Sequence, residues 1–266
     1  MGRTLGNLER QLFAYAQLRN LRTLSTGDLR SPLGITAKQE RELYSRLARA
    51  GMIAQVRRGL YLVPAKLPLG SKWSPDEAQV LNALLQDRGG RYQLCGPNAF
   101  NRYGFDAQVP TRVYAYNDRL SAERDVGAVA LTLIKVSADR LGDTEEVGTS
   151  DGSRLVYSSR VRSLVDAVYD WSRFASLPRA YGWIRVELSA GRVEAKELVR
   201  AALRYGNQGT LRRLGALLEE LGVTGRLLTA LEQELRSQRS LVLMVPGIRG
   251  AGRVDRRWGV VRNEPA

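Results

Sequence analysis

Residues 36–64 read TAKQERELYSRLARAGMIAQVRRGLYLVP, and the order of signals in this stretch decides how the front of the chain folds. Thr36 is a good helix cap. Over 37–50, Leu43, Tyr44, Leu47 and Ala50 fall on one side at 100° per residue, while Lys38, Arg41, Glu42, Ser45 and Arg49 gather on the other. Gly51 stops the helix. Two apolar runs, MIAQV and LYLV, then flank Arg57-Arg58-Gly59, the pattern of a β-hairpin whose turn needs the glycine because only glycine takes positive φ cheaply. Turn chemistry asks for no arginines there, so they serve something outside the fold, or solubility.

Working backwards, Leu5 to Leu18 carries apolar residues at helical spacing and predicts a first helix. In LSTGDLRSPLGIT, Ser25 or Thr26 is expected to cap a short second helix that ends near Ser31, before Pro32, with a turn at Gly34 and Ile35. Three helices followed by a two-stranded hairpin is the order of a winged helix-turn-helix, whose third helix enters the DNA major groove. On a wing tip, Arg57 and Arg58 would lie against phosphates or the neighbouring minor groove, giving affinity and register more than sequence choice. Base reading would fall to Lys38, Arg41 and Ser45, each good bidentate contact being worth about 1–3 kcal/mol. Glu42 would accept from a cytosine amine or pair with Arg46 or Lys38 along the helix. Taken singly, each of these residues is equally an ordinary solvated helix position; the constellation is what points to DNA.

Charge agrees. The chain has 266 residues and a formal net charge of +14, and residues 1–70 hold 12 basic against 4 acidic side chains. Residues 71–150 are slightly acidic, with 9 against 11, and residues 151–266 are basic again, with 20 against 12. Basic excess at the front suggests a polyanion partner. There is no histidine and one cysteine, Cys95, so an internal disulfide and a Ser-His-Asp or Cys-His catalytic unit are impossible, and a structural zinc site would have to rest on carboxylates. No cofactor is expected. MGRTLGNLER lacks the apolar core of a signal peptide, and no run approaches the ~20 apolar residues of a membrane span, so we expect a cytoplasmic protein without a membrane partner.

Lys66 to Lys72 reads as a linker around Pro68 and Gly70, dividing a domain over 1–66 from a second over 72–266, with the linker at 67–71. Ser74-Pro75-Asp76-Glu77 predicts a cap followed by a helix to about Asp87. RYQLCG predicts a short strand with Cys95 as a buried apolar group, and PNAFNRY a helix closed by Gly104. Strands are expected at TRVYAY, VALTLIKV and RLVY. Helices then return around Val161–Val168, with Asp166 and Asp170 one turn apart and expected on a solvated face rather than at a metal. Three more are expected at Glu194–Tyr205, Leu211–Leu221 and Gly225–Arg236. GIRGAG follows a strand but lacks the helix and the Lys-Ser/Thr pair of a phosphate loop. Arg249, Arg253, Arg256 and Arg257 form a second basic patch or partners for preceding acids. The fold class is thus α+β: an N-terminal winged helix-turn-helix followed by a mixed α/β domain with a helical C-terminal part.

The chain resembles the AbiEi-type antitoxins of bacterial type IV toxin-antitoxin systems. The likeness rests on RRGLYLV at the end of the winged helix, YQLCGPNAFNRYGF, SSRVRSLVDAVYD, TLRRLGALLEELG and the final RVDRRWGVVRN. It implies a non-enzymatic antitoxin and autorepressor that binds inverted repeats in double-stranded promoter DNA, and whose C-terminal domain neutralises a nucleotidyltransferase-like toxin, generally without a stable complex. The DNA-contacting role then falls on the third helix, at Thr36, Lys38, Gln39, Arg41, Glu42, Ser45, Arg46 and Arg49, and on Arg57 and Arg58. Arg212, Arg213, Glu219 and Glu220 match motif positions. The alternatives are a solitary winged-helix regulator, a nucleic-acid-modifying enzyme with a DNA-delivery domain, and an RNA-binding module using Tyr61, Trp258 and the C-terminal arginines.

Overall fold

The computed structural model describes residues 5–67, 72–149, 152–236, 240–248 and 252–264. It is a mixed α+β fold. The chain forms two compact units, each assembled from separate stretches: 1–93, 111–141 and 146–155 in the first, and 94–110, 142–145 and 156–266 in the second. The units therefore interleave along the sequence, whereas the sequence suggests successive blocks joined at 67–71. Of that stretch only Leu67 lies within the described residues.

The first unit opens with α1 (Asn7–Leu18), β1 (Thr23–Ser25), α2 (Arg30–Leu33), α3 (Ala37–Arg49), β2 (Ala54–Arg57) and β3 (Leu60–Leu62). The strands form an antiparallel sheet in the order β1-β3-β2. Leu12, Phe13, Leu24, Leu29, Leu43, Tyr44 and Leu47 close one core beneath them. Here the expected second helix is corrected. Ser25 ends a strand instead of capping a helix, and α2 starts at Arg30 and runs through Pro32. A proline is tolerated there because the first-turn N–H groups of a helix have no intrahelical partner to lose. Gly34, at φ 63°, ends the turn.

The unit continues with α4 (Glu77–Gln86), β4 (Tyr92–Leu94), α5 (Pro97–Arg102), β5 (Val113–Asn117), β6 (Ala122–Val126) and β7 (Val129–Lys135), of which α5 and the last residue of β4 belong to the second unit. The cap of α4 is Asp76, whose carboxylate accepts from the Gln79 amide at 2.8 Å; the expected cap, Ser74, accepts from the Ala128 amide instead. Helix α4 packs against β2 and β3. Strand β5 pairs parallel with β7, and β6 antiparallel with β7. Strands β8 (Thr144–Gly148) and β9 (Arg154–Ser158) have residues in both units.

The second unit holds α6 (Arg160–Tyr169), α7 (Trp171–Phe174), α8 (Arg179–Ser189), α9 (Ala195–Tyr205), α10 (Gln208–Glu220) and α11 (Arg226–Gln233); α6, α9 and α11 pack against α10, which is buried from Thr210 to Leu218, and α7 and α8 pack against α6. A small sheet, β10 (Val242–Leu243), β12 (Val260–Arg262) and β11 (Arg253–Asp255) in that order, carries β10 and β12 against α10. Asp166 corrects another expectation. It is fully buried and bonded to Arg162 at 2.9 Å, so it lies inside the helix packing rather than on a solvated face. Among the described residues no helix is long and apolar enough to cross a membrane.

Candidate nucleic-acid interface

Helix α3 is fixed at its N-terminus and from beneath. Its N-terminus is closed by a reciprocal cap, Thr36 Oγ1 accepting from the Gln39 amide at 3.3 Å and Gln39 Oε1 accepting from the Thr36 amide at 2.8 Å. On its inner side, Tyr44 stacks on Tyr61 of β3 with ring centroids 4.3 Å apart and donates its hydroxyl to the Ser25 carbonyl at 3.1 Å. Burial pushes the Tyr44 phenol well above its usual range, so it remains a neutral donor at any physiological pH. The deepest anchor is a residue that the sequence reading passed over. Glu40 is fully buried, and its carboxylate accepts from the amides of Gly27 at 2.8 Å and Leu29 at 3.1 Å and from Arg30 Nε at 3.1 Å. One side chain of α3 thereby satisfies the turn that leads into α2, which sets the angle between the two helices.

This anchoring leaves Thr36, Lys38, Gln39, Arg41, Glu42, Ser45, Arg46 and Arg49 exposed, of which the 100° spacing picks out Lys38, Arg41, Glu42, Ser45 and Arg49. They are not equally available. Thr36 and Gln39 are engaged with one another in the cap. Arg46 bonds the buried Glu9 of α1 at 2.9 Å, and Arg49 Nε donates to the Ser45 carbonyl at 3.3 Å. Among the described residues Lys38 and Arg41 have no ion-pair partner, so they carry the uncommitted positive charge of this face.

The hairpin divides its two arginines in the same way. Gly59, at φ 79°, makes the turn, and the Thr26 amide bonds its carbonyl at 2.9 Å. Arg57 is bound to Asp87 at the end of α4 by two bonds of 2.6 and 2.5 Å, the bidentate geometry of a strong guanidinium-carboxylate pair. That bond to Arg57 is the main reason the Asp87 carboxyl titrates below its usual range. Arg58 is exposed and has no ion-pair partner among the described residues.

Asp87, Glu187, Glu219 and Glu220 all titrate below their ordinary values. For the three glutamates burial pushes the carboxyl up, but hydrogen bonds from arginines, and from Trp258 in the case of Glu219, outweigh it. A carboxyl lowered in the folded state adds stability above its unfolded pKa of about 4 and loses it as pH falls through the lowered value. With no histidine, the melting temperature is expected to be flat from about pH 6 to 8 and to drop below about pH 4, as scanning calorimetry would register.

The other candidates are placed as follows. Cys95 is buried. Trp258 is buried and offers no free ring to a nucleobase, while Tyr61 is partly exposed with one face stacked on Tyr44. Among the described residues there is no group of three or more His, Cys, Asp or Glu able to hold a metal. Arg257 answers the alternative of a basic patch with the other one, bonding Glu219 at 2.6 Å and Glu232 at 2.9 Å. Arg212 and Arg213 donate to the carbonyls of Ser240 and Leu243. The two resemblance motifs TLRRLGALLEELG and RVDRRWGVVRN meet here, and what they do to one another is structural. Arg249, with Gly250 and Ala251 of GIRGAG, lies outside the described residues.

No family model matches the chain, and no curated protein does. Three solved chains match. Among them is the crystal structure of the RV2827C protein from Mycobacterium tuberculosis, with a TM-score of 0.58 over 97% of this chain and 92% of that one, at 16% sequence identity. The likeness is one of fold. Its coverage extends the shared α+β architecture over nearly the whole chain and says nothing about which side chains act.

Proposed function

We propose that the chain is a DNA-binding transcriptional regulator whose first helices and hairpin form a winged helix-turn-helix, and that it serves as antitoxin and autorepressor of a type IV toxin-antitoxin operon. The single observation that carries the DNA-binding half is the posture of α3. Its inner side is locked by Glu40 and Tyr44, while its outer side presents Lys38 and Arg41 without an ion-pair partner among the described residues. A rigid helix with uncommitted donors loses little entropy on entering a groove, and its donors need break no bond first. The antitoxin half rests on the resemblance in RRGLYLV, TLRRLGALLEELG and RVDRRWGVVRN.

The test is a binding isotherm on the chain's own promoter, by fluorescence anisotropy over a range of salt. Lys38→Ala with Arg41→Ala should weaken binding to the promoter ~100-fold, with a much smaller effect on unrelated duplex. Arg58→Ala should lower the salt slope by about 0.9, one phosphate contact. Arg57→Ala should change little, because its charge is already spent on Asp87, whereas Asp87→Ala should tighten binding to all duplexes and steepen the slope by up to about 0.9. Promoter affinity indifferent to the Lys38/Arg41 change would overturn the reading. For the antitoxin half, co-expression with a nucleotidyltransferase-like product of the adjacent gene should restore growth that the latter arrests; an unrelated neighbour would leave a solitary regulator.

A further inference from the structure

A separate feature lies entirely within the second unit. Residues 102–105 of YQLCGPNAFNRYGF and Arg160 of SSRVRSLVDAVYD, motifs which the DNA-binding reading leaves without a role, join Tyr157, Arg179 and Trp183 in setting half-exposed aromatic rings beside arginines. The Arg102 guanidinium sits 4.7 Å from the ring centre of Tyr157 and 5.9 Å from that of Tyr103. Arg160 lies 4.9 Å from Tyr103 and 5.7 Å from Phe105. Phe105 stacks near-parallel on Trp183, at 5.9 Å and 22°, and Arg179, one helical turn before Trp183, lies 5.4 Å from the indole.

A run of this kind exceeds the background of about one significant cation–π contact per 70–80 residues. Core formation does not account for it. The buried places are taken by Phe100 and Phe174, which meet edge to face, and Trp183 tilts on Phe100 with ring centroids 5.0 Å apart. Tyr103, Phe105, Tyr157 and Trp183 all remain partly open to solvent. Two of the arginines are held in place by carboxylates, Arg160 by Glu187 at 2.9 Å and Arg179 by Asp106 at 2.5 Å. Those pairs fix the planes and cancel their charge. Arg102 is exposed and has no carboxylate partner among the described residues.

We propose that this row of arginine-spaced, half-exposed rings is a stacking platform for the unpaired bases of single-stranded nucleic acid. Flat guanidinium planes and rings accept a base face of any sequence, and their rigidity removes the ordering cost of binding. With only Arg102 left to meet a phosphate, the platform differs from the α3 face in kind. Binding to it is weak in salt dependence and strong in ring dependence.

The experiment uses the full chain and two fluorescein-labelled probes of about 12 nucleotides, oligo(rU) and oligo(dT), which have no stable secondary structure. Each is titrated by anisotropy, with Trp fluorescence followed in parallel. Tyr157→Ala and Trp183→Leu are expected to weaken binding about tenfold each. Trp183→Phe, which keeps a ring, should retain most of the affinity. Lys38→Ala with Arg41→Ala should leave it unchanged, and the salt slope should stay near −0.7, a single phosphate. The two probes separate the sources: preference for oligo(rU) assigns the platform to RNA through the 2′-hydroxyl, preference for oligo(dT) to DNA. Failure to bind either probe at about 100 μM, the weak end of non-specific affinity, would overturn the proposal. So would binding that is lost with Lys38 and Arg41 but survives both ring deletions. Either result leaves the duplex-binding reading standing, since that depends on the first unit alone.

Discussion

Glu40→Ala is expected to lower the stability of the first unit by roughly 3 kcal/mol, read as a fall in urea midpoint at unchanged slope. The carboxylate accepts two backbone amides, those of Gly27 and Leu29, and Arg30. Removing it orphans both amides, and a donor left unsatisfied in a buried setting costs about 1–3 kcal/mol. Arg30 contributes little to the loss, because its side chain is 46% exposed and water replaces the carboxylate. Glu40→Gln should fall between, since its amide oxygen can still take one of the donors. Promoter binding should weaken in parallel, because α2 and α3 lose the bond that sets their angle. An unchanged midpoint in Glu40→Ala would show that the turn before α2 stands without it.

Gly215→Ala is the corresponding prediction for the second unit, and here the cause is space. A Cβ at this position would lie 2.2 Å from two carbons of the Trp258 ring, far inside van der Waals contact. The indole cannot step aside. It is 1% exposed, and its Nε1 is tied to Glu219 at 2.7 Å. Alanine in a helix interior gains about 1 kcal/mol over glycine, but forcing a methyl into a closed core costs typically 1–3 kcal/mol and more where nothing can relax. We expect a net loss of about 2 kcal/mol by denaturant unfolding. Trp258→Leu in the same chain should recover part of it. The cycle should show coupling of about 1–3 kcal/mol, and strict additivity of the two changes would refute the packing argument.

These two residues also mark the limits of what the sequence discloses. Helix α3 was legible from end to end, because its cap, stripe and stop all act within a few residues; the structure starts it at Ala37 and ends it at Arg49. The hairpin was legible for the same reason. Strand β1 was not, since Ser25 and Thr26 look like helix caps, and only pairing with β3, about 37 residues further on, makes TLS a strand. Strand β6, AERDV, was hidden by its charges, which are what an edge strand is expected to carry. The exposure of Lys38, Arg41, Glu42, Ser45 and Arg49 was legible from the helical spacing, yet which cations of the face are spent was invisible. Arg46 and Glu9 are 37 residues apart, and Arg57 and Asp87 are 30 apart. Glu40 was missed because an acid among basic residues on a helix, with Glu42 two positions on, reads as surface decoration. Only burial reveals it as an anchor.

The interleaved course of the chain has a consequence for its birth on the ribosome. The first unit draws on residues up to 155, but the stretch 94–110, which belongs to the second, leaves the exit tunnel before that point. The Val56 carbonyl, on the strand leading to the Arg57-Arg58 turn, waits for Arg124, and the Gly51 carbonyl for Trp73. A nascent chain halted near residue 66 therefore lacks the bracing of its hairpin. Neither unit is one contiguous block of sequence, so a cut at any single position in the chain's interior divides at least one of them.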